Sequence, residues 1–90
     1  MTDPARASLL SFPCRFPIKV MGAQTEGFAT AMARVARAFD PEFDEATIEV
    51  RASRHGRYIG LTLTVRVTSR EQLDELYRTL TTHPMVRVVL

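Results

Sequence analysis

Apolar and polar positions alternate with a period of two in neighbouring stretches of the chain. Ile48, Val50 and Ala52 interleave with Glu49, Arg51 and Ser53. Beyond Arg54-His55-Gly56-Arg57, Ile59, Leu61, Leu63, Val65 and Val67 interleave with Tyr58, Gly60, Thr62, Thr64 and Arg66. Such alternation marks a strand with one buried face. With His55-Gly56 as a hairpin tip, Ala52 pairs with Ile59, Val50 with Leu61 and Ile48 with Leu63. Every apolar residue then meets another, and a slip of one residue would destroy the match. The two strands are expected over about 46–54 and 57–67.

The period changes on both sides of the hairpin. Phe16, Ile18 and Val20 alternate with Pro17, Lys19 and Met21, a first strand over about 16–21 that Gly22 ends. Phe28, Met32, Val35 and Phe39 follow at helical spacing, which predicts a helix over about 25–39 with Thr25 as N-cap. Glu26 in its first turn and Arg34 and Arg37 later suit the helix dipole. Asp40-Pro41 stops it, because a residue before proline avoids the helical region. Ser69 and Gln72 form a capping-box pattern ahead of Leu73, Leu76, Tyr77 and Leu80, a second helix over about 70–82. Asp74 and Arg78 make a favourable i,i+4 pair. His83-Pro84 ends this helix, and a β-branched strand runs over about 85–90.

The order β-α-β-β-α-β, with right-handed crossovers, puts both helices on one face of a four-stranded antiparallel sheet. The fold class is therefore α+β, the ferredoxin-like plan with strand order 4-1-3-2. Phe28, Met32, Val35, Leu73, Leu76 and Leu80 are expected to pack against Ile18, Val20, Ile59, Leu61, Leu63 and Val88. The other sheet face then carries Pro17, Lys19, Met21, Glu49, Arg51, Tyr58, Gly60, Thr62, Thr64, Arg66, Met85, Arg87 and Val89.

Ninety residues make one domain, read as a lead-in over 1–11 and a single domain over 12–90. No long apolar run suggests a membrane span, and Met1–Ser8 lacks a signal-peptide pattern, so a cytoplasmic location is expected. The single cysteine, Cys14, agrees with a reducing compartment. A net charge of only +2, with both signs mixed, gives little support to a nucleic-acid partner. RNA-recognition domains of this topology stack bases on outward aromatics of the central strands. Here only Tyr58 is available, which disfavours RNA.

The candidate chemistry is sparse. Gly22 and Gly27 flank a strand-to-helix turn that could approach an anion, but one glycine for a positive φ and one for close packing explains both. Cys14 has no histidine partner, and Arg15 is adjacent in sequence only. His55 and His83 lack further ligands at metal spacing, so no metal is expected. Lys19, Arg51 and Arg66 share the open face and could form a cationic strip for a carboxylate or phosphate; pairing with Glu49 and solvation is the plainer reading. Asp44-Glu45 and Asp74-Glu75 are adjacent and do not face one another. No enzyme and no cofactor are expected.

Three stretches carry a resemblance: Phe12-Pro13-Cys14-Arg15-Phe16-Pro17-Ile18-Lys19-Val20-Met21-Gly22, then Ser53 through Tyr58, then Met85-Val86-Arg87-Val88-Val89-Leu90. Together they resemble the YbeD-like family of small bacterial proteins. Gly60 departs from it, since relatives tend to carry serine there. The resemblance implies an ACT-like fold, similar to small-molecule-sensing regulatory domains, and an association with lipoate metabolism by gene neighbourhood. It also implies an effector position at the turn after the first strand, here Gly22, Ala23, Gln24 and Thr25. The expected function is a non-enzymatic regulatory or interaction module binding a partner protein or small metabolite. The alternatives are a dimerising structural adaptor without ligand, a Cys14-dependent redox protein and an RNA-binding domain. A weak homodimer is expected through the open face or the terminal strand's edge, because an unpaired edge templates another chain.

Overall fold

A computed structural model describes residues 11–90 of the chain. Strand β1 (Cys14–Ala23) leads to helix α1 (Phe28–Phe39), a 3-10 turn (Glu45–Thr47) and strand β2 (Glu49–Ala52). Strand β3 (Tyr58–Val67), helix α2 (Arg70–Thr81) and strand β4 (Val86–Val89) complete it. The strands form one antiparallel sheet in the order β2-β3-β1-β4. This is the expected ferredoxin-like α+β plan. All but Ser11 of the lead-in read over 1–11 lies outside the described residues.

The hairpin register is the one the alternation dictates, with Ala52 opposite Ile59 and Val50 opposite Leu61. Gly56, at φ 70°, supplies the left-handed residue the tip requires. Ile18, Val20, Leu61, Leu63, Val65 and Val67 point to the helix side and are buried with Phe28, Met32, Leu73, Leu76 and Leu80. Each such side chain contributes about 1.5–3 kcal/mol by leaving water. Thr62 and Thr64 stay out of this core.

Polar contacts fix the joints. Ser69 Oγ accepts from the Gln72 N–H at 3.1 Å, as the capping pattern predicts. Gln72 Oε1 accepts from the N–H of Thr68, and its Nε2 donates to the Phe39 carbonyl, tying α2 to the end of α1. Asp40 accepts from the N–H of Glu42 and, through its other oxygen, from that of Arg66. It thereby covers part of the β3 edge that β2 is too short to reach.

Several expectations need correction. Helix α1 begins at Phe28, not Thr25; its N-cap is Gly27 at φ 87°, without a side-chain cap. Glu26 therefore precedes the first turn. The segment 45–47 is a 3-10 turn capped by Asp44, which shortens the expected second strand. Arg78 pairs with Glu75 rather than Asp74. Val35 and Ile59 are only half-buried. Phe43, 5 % exposed, joins the core from the loop after α1.

The last strand has the opposite phase to that expected. Val20 pairs with Val89 and Met21 with Val88, and an irregularity then brings Val86 opposite Gly22. The extra residue lets both Val86 and Val89 pack against the core. Val88 is on the open face instead, and Met85 packs partly against the core.

Gly22 holds β1, β4 and α1 together. A Cβ there would lie 2.4 Å from the Met85 carbonyl oxygen and 2.8 Å from the Phe28 ring. No side chain fits between them.

Candidate functional site

The sheet face that the helices leave open is organised in rows across the strands. In one row Glu49, Thr62 and Lys19 are successive partners. Leu90 continues it, exchanging both backbone hydrogen bonds with Lys19 at 2.8 and 3.3 Å. The next row is Arg51, Gly60, Met21 and Val88, and beyond it Tyr58 faces Ala23. Gly60 has no side chain, so the sheet surface is bare between Arg51 and Met21. The result is an open concavity of about 950 Å³, whose lining includes Lys19, Met21, Arg51, Arg54, Tyr58 and Leu90.

Its chemistry is two-sided. Met21 and Tyr58 are each about two-fifths exposed, at 41 % and 44 %, and Val88 and Leu90 add apolar surface beside them. Lys19, Arg51 and Arg54 supply positive charge, with Glu49 as the acidic member of the lining. Charge gathers at β2 and on Lys19, and apolar surface on Met21, Tyr58 and the β4 side, all of it open to water. The face can bind an apolar or anionic surface through many shallow contacts, and it excludes little solvent from them.

The cationic strip is divided. Lys19 and Arg51 line the concavity. Arg66 is four residues further along β3 than Thr62, roughly 13 Å away at strand rise, and sits opposite Arg15. The four turn residues do not line the concavity. Gly22 is buried under Met85 and Phe28, and Ala23 ends β1. Gln24 donates its N–H to the Arg57 carbonyl, and Thr25 donates its N–H to the Ala23 carbonyl, closing the turn on itself. Cys14 is half-buried against the core opposite Val67. His83 Nδ1 accepts from the Met85 N–H, shaping the entry to β4. Among the described residues no three His, Cys, Asp or Glu side chains gather to hold a metal, and no helix is long and apolar enough to cross a membrane.

Sequence reading missed Arg54, Val88, Leu90 and the part played by Gly60. The hairpin register already put Gly60 beside Arg51. The position of Val88 depended on the β4 irregularity, which no local pattern announces.

Fold and face together define a small ferredoxin-like α+β module with one covered and one uncovered sheet face. Residues 7–90 match the family model described as a protein of unknown function, DUF493. A UPF0250 protein of Bordetella pertussis is 56 % identical over 87 residues, covering 97 % of this chain and 96 % of that protein. Its counterpart in Ralstonia nicotianae is 55 % identical over 87 residues, covering 97 % and 90 %. That of Nitrosomonas europaea is 48 % identical over 83 residues, covering 92 % and 95 %. The chain belongs to this DUF493/UPF0250 family, the YbeD-like proteins.

Proposed function

We propose that the chain is a non-enzymatic interaction module that takes a partner onto the uncovered face of its sheet. The observation that carries this reading is the concavity over Gly60, where Met21, Tyr58 and Leu90 meet Lys19, Arg51 and Arg54. Of the two expected ligand classes, a partner protein suits the face better than a small metabolite. Small-molecule sites bury most of their ligand in an enclosed pocket, whereas this surface is broad and open. Apolar and charged groups side by side on one broad surface are usual in protein interfaces. An acidic partner segment with one or two apolar side chains fits the charge of Lys19, Arg51 and Arg54 and the apolar surface of Met21, Tyr58 and Leu90. The link to lipoate metabolism that the family resemblance implies names the first partners to test.

Affinity capture from the native host, with wild type and Met21→Asp as baits, tests the reading. Met21 is exposed, so the variant keeps its circular dichroism spectrum. The expected result is a stoichiometric partner held by wild type and lost from Met21→Asp. Equal capture by both baits would contradict the reading.

A further inference from the structure

Strand β2 is at the edge of the sheet, and all four of its residues are exposed. Val50 is 60 % exposed although it points to the helix side, because β2 extends past the cover of the helices. Ser53 donates its N–H to the Tyr58 carbonyl at 3.0 Å. In an antiparallel pair the inward-facing residues alternate. Arg51 and Glu49 therefore turn their backbone groups to β3, and Val50 and Ala52 turn theirs outward.

Charge is distributed unevenly about this edge. Residues 40–49 contain Asp40, Glu42, Asp44, Glu45 and Glu49 and no basic residue; residues 51–57 contain Arg51, Arg54, Arg57 and His55 and no acidic residue. The strand thus runs from an acidic end to a basic one. Such a strand is complementary to an antiparallel copy of itself.

We propose that the β2 edge binds a second copy of this chain, in a two-fold antiparallel pairing centred on Val50. Within β2, Val50 is the one centre that has outward-facing backbone groups and also opposes Glu49 with the partner's Arg51; a centre at Ala52 keeps the backbone but sets Arg51 against the partner's Ser53. Val50 then exchanges both hydrogen bonds with the partner's Val50, and the Ala52 N–H reaches the carbonyl of the partner's Ile48. Glu49 faces the partner's Arg51, and by symmetry Arg51 faces the partner's Glu49. The basic tip at Arg54 and His55 comes beside the partner's Glu45. A centre at Arg51 would set Arg51 against the partner's Arg51, and one at Glu49 would set two glutamates together; like charges directly opposite are unfavourable. The valine pair covers the apolar surface that the helices leave bare. The two sheets become one of eight strands with both uncovered faces on the same side. The other edge, β4, is interrupted by its irregular register and offers a poorer ladder.

Sedimentation equilibrium on the full chain, with a charge-swap set, tests this. Wild type should rise from the 10.1 kDa monomer mass towards twice that value with concentration. Glu49→Arg and Arg51→Glu should each weaken association roughly 10- to 30-fold, since two attractive cross-strand pairs become repulsive. An equimolar mixture of the two variants should associate as wild type does, because a copy with arginine at both positions then meets a copy with glutamate at both. The double variant Glu49→Arg/Arg51→Glu should also recover. Both positions are exposed, and circular dichroism checks that each variant is folded. Wild type remaining monomeric throughout, single variants associating like wild type, or a mixture that fails to recover would each overturn the proposal.

Discussion

Replacing Gly22 by alanine places one methyl group where three elements meet. The substitution costs nothing in backbone conformation, because Gly22 is an ordinary strand residue with no positive φ. Its whole effect is steric. The new Cβ would be 2.4 Å from the Met85 carbonyl oxygen and 2.8 and 3.0 Å from two carbons of the Phe28 ring. The oxygen belongs to the backbone, and Phe28 is 2 % exposed, so neither neighbour can swing aside freely. Gly22 is itself held between Ile59 on β3 and Val86 on β4. Overpacking of this kind costs about 1–3 kcal/mol and occasionally more; a backbone obstacle puts it near 3 kcal/mol. A chain of this length has roughly 5–13 kcal/mol in all. The expected fall in Tm is about 12–24 °C, and the urea midpoint should drop by about 1–3 M. Gly60→Ala is the matched control on the next strand. Its Cβ would stand 3.6 Å from the Arg51 carbonyl, an ordinary contact. That variant should be neutral or stabilised by up to about 1 kcal/mol. Urea titrations followed by circular dichroism measure both. A loss below about 1 kcal/mol for Gly22→Ala, or equal losses for the two, would refute the packing argument.

Other substitutions follow from the same contacts. Leu63→Ala removes a fully buried side chain under the helices and should cost about 2–5 kcal/mol in the same titration. Ser69→Ala removes the cap of α2 and should cost about 1 kcal/mol, with Ser69→Asn retaining most of it. Arg78→Ala should change stability by less than about 0.5 kcal/mol despite its ion pair, because the Arg78 and Glu75 side chains are 68 % and 55 % exposed and water screens the pair. Val88→Lys should leave the monomer folded, whereas Val89→Lys should destabilise it, since Val89 packs on the core and Val88 does not; thermal melts compare the two.

The parts of the fold legible in the sequence were those governed by a long regular period. The β2–β3 register followed from alternating apolar residues, because a one-residue error would have exposed every one of them. The α2 cap followed from Ser69 and Gln72, whose contact is local. The start of α1 was not legible: Thr25 has the right chemistry for a cap, but the left-handed turn at Gly27 comes two residues later and sets the helix entry. Phe43 belongs to no periodic stretch, so its burial depends on the loop folding back from Asp40. In Val86-Arg87-Val88-Val89 three valines allow either phase, and the choice is made by pairing with Met21 and Gly22 on a distant strand. Asp74 and Glu75 both stand at helical spacing from Arg78, so the spacing alone does not choose between them. The candidate site was less legible than the fold. Lys19 and Arg51 were found because strand parity assigns a face. The concavity depends on which residues share a row, and that required the tertiary pairing of β1 with β3 and β4.

The claim that function resides on the uncovered face is tested most directly by hydroxyl-radical footprinting of the chain alone and in its captured complex. Met21 and Tyr58 report on that face, Tyr77 reports on the helix side, and Met32, fully buried, is the internal reference. The account predicts that Met21 and Tyr58 lose most of their reactivity in the complex while Tyr77 keeps its own. Protection of Tyr77 with Met21 and Tyr58 unchanged would show that the partner sits on the helices, and would contradict it.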